Sequence, residues 1–322
     1  MPIHRPKDVR PSAAGRLALG LFAGLLAFGP PACLRAQDGG GYVPHRVYDV
    51  RRHRFTDFEA MAAQVARADA AFFGEQHDDP ATHRLERALL EALARRRGKV
   101  SVAMEMWERD VQPLLSAYLA GTLSEDSLRA GGRPWPRYAT DYRPLVEWAR
   151  AGRWPVIASN VPRPYAAAVA RGGLASLDSL PAGHRAFAAR EVVCPGGAYR
   201  RRFAEAMAGM SAHGLHGAEG DAAIQRFYLA QCLKDETMAE SVAAELERSG
   251  PGTLVVHFNG AFHTDFHQGL AAALHRRAPH ARIVTITALP VADLDRADPR
   301  HDRRRADFLL YTLAPPDTPA KQ

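Results

Sequence analysis

Short continuous apolar runs recur along the chain, separated by segments with helical spacing. The runs are AAFFGE (70–75), KVSVAMEMW (99–107), WPVIASNV (154–161), GTLVVHFN (252–259), RIVTITAL (282–289) and DFLLYTL (307–313). Runs of this length without polar alternation are expected of strands buried on both faces. Helical patterns lie between them, at 80–97, 141–152 and 264–278. Strands alternating with helices predict right-handed crossovers and an α/β fold, a mainly parallel sheet flanked by helices.

About 90 residues separate the third and fourth runs without a strand signal. Helical patterns at 164–171, 199–212 and 221–249 fill this interval, and Asp221 and Gly250 stand as the expected N-cap and terminator of the last. The sheet pattern resumes afterwards, so residues 163–250 read as a helical subdomain inserted into one α/β domain spanning 55–314. Residues 37–54, with GGG and RRHR, read as a polar leader, and PPDTPAKQ at 315–322 as a disordered tail.

The N-terminus alters the picture. A basic stretch precedes the apolar LALGLFAGLLAFG, which is about 13 residues long, short for a membrane span and suited to a signal-peptide core. Residues 1–36 are therefore expected to be a signal peptide, with Leu34 and Ala36 as the cleavage pair. Lipid attachment at Cys33 is the less favoured route, because GPPAC lacks a Leu three residues before the Cys. The expected location is the periplasm or cell envelope. Removing 1–36 takes away four of the seven net positive charges and leaves +3, with the basic clusters scattered, so no nucleic-acid footprint remains. Export also leaves Cys194 and Cys232 as the two thiols, which suggests a disulfide between them.

Polar residues collect where the apolar runs end. Glu75 and His77 follow the first run, Glu105 lies near the end of the second and Asn160 near the end of the third; the fourth enters VVHFNGAFHTDFH, with His257, Asn259 and His263. Ligands of open parallel sheets bind outside the carboxyl ends of the strands, so these residues are expected to converge. A His beside a carboxylate can act as general base on water. Equally, His77, Glu105 and His263 can hold a divalent ion with an open coordination position. The sequence does not separate these alternatives. Asp78 and Asp79 before Pro80 read as capping residues, His83 as a helix-face residue, and His267, His213 and His216 as surface residues. Glu105 within VAMEMW would be costly without a partner.

GEQH, then EMWERD, then HFNGAFH, together with DYRPLVEWAR, PVIASNVPR and QCLKDETMAESVA, resemble the ChaN-like haem-binding uptake family of the Tiki superfamily over about residues 48–290. Its paired Gly-x-x-His elements fall on Gly74 to His77 and Gly260 to His263. The resemblance implies an α/β fold with inserted helices, haem as cofactor and a cell-envelope role in haem or iron acquisition. The wider superfamily includes Tiki-type metal-dependent peptidases and erythromycin-esterase-like hydrolases. That kinship implies a catalytic set of His77, His263 and Glu105 with Glu75 beside them. The partners implied are haem or another small molecule, a second copy of the chain in a homodimer, and a membrane only through a lipid anchor. Iron accepts Tyr or His ligands; Tyr142, Tyr199 and Tyr228 lie in the family-like helical stretches, and nothing in the sequence chooses among them.

Overall fold

The computed structural model describes residues 42–211 and 217–314. The expected signal peptide, part of the leader, the C-terminal tail, His213 and His216 lie outside these residues. The strands are β1 (His45–Asp49), β2 (Arg54–Thr56), β3 (Ala70–Glu75), β4 (Val100–Glu108), β5 (Val156–Asn160), β6 (Leu254–Gly260), β7 (Ile283–Val291) and β8 (Phe308–Leu313). They form one sheet in the order β2-β1-β8-β7-β3-β6-β4-β5. From β8 to β5 every pairing is parallel, while β1 pairs antiparallel with both β8 and β2. The fold is thus α/β with a mainly parallel sheet, and all six expected strands are present.

The helices are α1 (Phe58–Val65), α2 (Pro80–Arg96), α3 (Gln112–Leu119), α4 (Glu125–Gly132), α5 (Tyr138–Asp141), α6 (Arg143–Gly152), α7 (Arg163–Gly172), α8 (Ala198–Ser211), α9 (Gly217–Ser249) and α10 (Gly269–Arg277). Three expectations need correction. The stretch read as a polar leader carries β1, where only Val47 and Asp49 are buried; a strand near the sheet edge tolerates the polar residues that hid it. Asp221 does not cap the last inserted helix, which already begins at Gly217. The helix expected over 264–278 starts only at Gly269, because Phe266 (φ 62°) and His267 (φ 55°) are left-handed and break it.

Alternation along the central strands fixes which face each side chain serves. Ala71 and Phe73 of β3, Val102 and Met104 of β4 and Val256 and Phe258 of β6 face the larger core, under α1, α2, α3 and α6. Ala70, Phe72, Ala103 and Val255 face the smaller core under α9 and α10. By the same parity β3 delivers Glu75 to the α2 face and β4 delivers Glu105 to the α9 face. Asp79 starts α2, accepting from the Ala81 amide at 2.9 Å, with Pro80 in the first turn.

Candidate functional site

Two loops meet over the carboxyl end of the sheet. The turn after β3 carries His77 and the turn after β6 carries His263, and glycines let the two approach. A Cβ on Gly74 would stand 2.9 Å from the Ala261 Cα; one on Gly260 would stand 2.8 Å from His77 Nε2 and 3.7 Å from Glu105 Oε2. Gly74 requires glycine because backbone packs against it, whereas at Gly260 it is the His77 ring that occupies the space a side chain would take.

Each histidine is anchored by a carboxylate. His77 Nδ1 lies 2.6 Å from Glu75 Oε1, which also accepts from the Tyr142 hydroxyl at 2.8 Å. His263 Nδ1 lies 2.6 Å from Asp235 Oδ1 of α9, and the second oxygen of Asp235 accepts from the Tyr199 hydroxyl at 2.5 Å. The remaining nitrogen of His263 faces Glu105 Oε1 at 3.2 Å, and Glu105 Oε2 accepts from the Gly260 amide at 2.8 Å. Glu75, Glu105, Asp235 and His263 are all buried, whereas the His77 side chain is 46 % exposed.

These contacts give the histidines different work. Burial opposes charge on His263, but the charges of Glu105 and Asp235 outweigh it and lift its pKa to about 10. At neutral pH it is an imidazolium spent on two carboxylates. Burial would raise the Glu105 pKa, yet the charges of His263 and His77 hold it well below the usual carboxylate range. On His77 the depressing effect of burial is exceeded by the hydrogen bond to Glu75 and the charge of Glu105, so its pKa is raised. His77 Nε2, against Gly260, remains available as base or ligand.

Behind His77 the Glu75 carboxylate enters a second polar group. His83 Nδ1 stands 3.1 Å from Glu86 Oε2 and 3.5 Å from Glu75 Oε2; His83 Nε2 stands 3.2 Å from the His77 carbonyl and 3.5 Å from Asp141. His83 is therefore buried in a site wall rather than spread on a helix face, a correction that follows from Tyr142 and Asp141 packing over α2. The Glu86 pKa is driven well above normal by burial and then by the Glu75 charge, while on Glu75 the same burial is outweighed by hydrogen bonds from His77 and Glu86.

Of the other residues marked in the sequence, none turns its side chain to the centre. Asn160 donates to the Glu105 carbonyl at 3.0 Å and so holds its backbone. His257 is buried, bonded to Ser159 at 2.9 Å and to Asn259 at 3.0 Å, with burial taking its pKa down to about 4. Asn259 donates to the Gly260 carbonyl at 2.9 Å and braces that turn. Among the described residues, the three whose donor atoms all come within 4.8 Å of one another are Glu75, His83 and Glu86, not His77, Glu105 and His263. Tyr142, Tyr199 and Tyr228 are buried with bonded hydroxyls, the last to the Pro195 carbonyl. Cys194 pairs with Cys232, Cα atoms 5.4 Å apart, tying the loop before α8 to α9. Sequence reasoning misses Asp235 as a site residue; its only signal is an acid beside the apolar stripe of α9, between Leu233 and Met238.

An open α/β sheet whose carboxyl edge joins two Gly-x-x-His turns through a buried glutamate defines a two-histidine class of site. The family model described as "Haem-binding uptake, Tiki superfamily, ChaN" matches residues 61–274, and the chain belongs to that family. A solved structure titled as cofacial heme binding to ChaN of Campylobacter jejuni is similar in fold, with TM-score 0.61, 15 % identity, 84 % of this chain and 97 % of that chain covered. A mutant erythromycin esterase solved in its open conformation is similar over 76 % of each chain, with TM-score 0.43 and 13 % identity. No curated protein matches the chain.

Proposed function

We propose that the protein captures haem outside the cytoplasm, as part of haem or iron uptake, with His77 as the protein ligand to iron. The family match over residues 61–274 carries the reading. His77 fits the role chemically: Glu75 holds Nδ1 at 2.6 Å, as metal-ligating histidines are commonly held, and Nε2 lies beside Gly260, which has no side chain to block it. Trp135 packs edge-on to the same imidazole at 5.0 Å and offers an aromatic wall to a macrocycle. The three tyrosines in the family-like stretches fit less well, since their hydroxyls are buried and bonded. The disulfide supports an oxidising compartment. Among the described residues no helix is long and apolar enough to cross a membrane, so a membrane partner would act through the N-terminal segment. Haemin titration followed by Soret absorbance tests the reading. His77→Ala should lose the shifted band while keeping its circular dichroism, and an unchanged band would reject His77 as ligand.

A second reading is favoured by one observation, the convergence of His77, Glu105 and the His263 imidazolium at Gly260. In it the protein is a hydrolase. His77 Nε2 takes a proton from water, Glu75 holds the opposite nitrogen, and the His263 imidazolium, oriented by Asp235, sets the charge of Glu105. Ester and peptide panels test this reading: turnover abolished by both His77→Ala and Glu105→Gln supports it, and turnover intact in both variants rejects it.

A further inference from the structure

We propose that the buried group formed by Glu75, His83 and Glu86 is a divalent transition-metal site lying behind His77, distinct from the haem-facing side of that histidine. His83 Nε2 stands 3.2 Å from the His77 carbonyl, which can only accept, so Nε2 carries a hydrogen. In the neutral ring Nδ1 is then a bare lone pair, and it faces Glu86 Oε2 at 3.1 Å and Glu75 Oε2 at 3.5 Å. Three acceptors facing one another repel unless something positive lies between them.

One proton can bridge one pair of these atoms. The group needs more than that, because apart from a proton shared between the two carboxyls, Glu75 Oε2 and Glu86 Oε1 meet no hydrogen-bond donor in the buried wall. A cation satisfies several donors together. The three donor atoms lie within 4.8 Å of one another, while ligands bound at about 2.1 Å sit roughly 3.4 Å apart around a tetrahedral ion, so a small contraction closes the set. One imidazole and two carboxylates suit Zn²⁺ or Mn²⁺ better than an all-oxygen ion. The surroundings are those of a supported site: Asp141 stands 3.5 Å from His83 Nε2, Arg137 pairs with Asp141 at 2.9 Å, and Tyr142 closes the cluster by donating to Glu75. Glu75 would then bridge the metal through Oε2 and His77 through Oε1, linking metal occupancy to the basicity of His77.

The test uses purified, tag-free protein titrated separately with Zn²⁺ and Mn²⁺, reading metal stoichiometry after dialysis and the thermal midpoint. Wild type should retain one ion and melt higher with it. Glu86→Gln, which keeps shape and can still hydrogen-bond to Glu75, should lose the ion and the shift while folding normally; His83→Ala should do the same. His77→Ala should retain the ion, since it supplies no ligand. The proposal is overturned if neither ion is retained by wild type, or if retention survives Glu86→Gln and His83→Ala. Because haemin affinity is read by a separate absorbance, failure here leaves the haem reading standing, and failure of haem binding leaves the metal site standing.

Discussion

Asp235→Asn isolates the electrostatics of the second histidine. The substitution keeps the acceptor oxygen 2.6 Å from His263 Nδ1 but removes its charge. A hydrogen bond to a charged partner contributes about 1.5–3 kcal/mol against about 1 kcal/mol for a neutral one, so the imidazolium loses about 0.5–2 kcal/mol, equivalent to about one pKa unit. His263 should therefore titrate about one unit below its wild-type value of about 10, still held up by Glu105. The assay is the imidazole carbon-bound proton resonance of His263 followed by NMR from pH 5 to 11. Stability carries the same sign. A histidine whose pKa is raised on folding, here from 6.5 to about 10, stabilises fully below pH 6.5, and that stabilisation fades as pH climbs through 10. The variant should lose stability at pH 7 and show a weaker decline between pH 7 and 10 than wild type. A wild-type midpoint near 6.5, or a midpoint unmoved by Asp235→Asn, would refute the assignment.

The two site glycines should respond differently. Gly74→Ala drives a Cβ to 2.9 Å from the backbone of Ala261 and should cost about 1–3 kcal/mol in urea unfolding, because backbone cannot rotate away. Gly260→Ala meets the His77 ring at 2.8 Å; that ring is half-exposed and can swing out, so haemin affinity should fall while the urea midpoint changes little. Separating Cys194 from Cys232, which stand 38 residues apart, should lower stability by about 3–4 kcal/mol through loop entropy, measured as the unfolding midpoint with and without reductant. No shift on reduction would mean that the pairing adds nothing to the fold.

Much of the fold was legible because its chemistry is local. The six parallel strands are buried on both faces, and burial on both faces writes a continuous apolar run into the sequence. β1 and β2 were hidden because they lie at the antiparallel edge, where polar residues such as Arg54 are exposed. In the site, Glu75, His77, Glu105 and His263 could be placed together from strand ends alone, since a parallel sheet delivers its strand ends to one edge. Asp235 could not: it lies 28 residues before His263 on a helix rich in acids, and only the packing of α9 on the sheet brings it to that imidazole. His83 and Glu86 were equally silent, being ordinary i,i+3 neighbours on a helix until Tyr142 and Asp141 cover them. His257 misled in the opposite sense. It sits in a motif full of site residues and shares the α9 face with Glu105, but it lies three residues before the strand ends, where Ser159 and Asn259 take both its ring nitrogens.

The most direct test of the central claim is a haemin titration of the purified protein, with wild type and His77→Ala measured side by side in the Soret region. Wild type should give a saturable, shifted band at near-stoichiometric haemin, and His77→Ala should lose it. A flat or non-saturating response in wild type would contradict haem capture and leave the Glu105-linked histidines as a hydrolytic centre to be pursued.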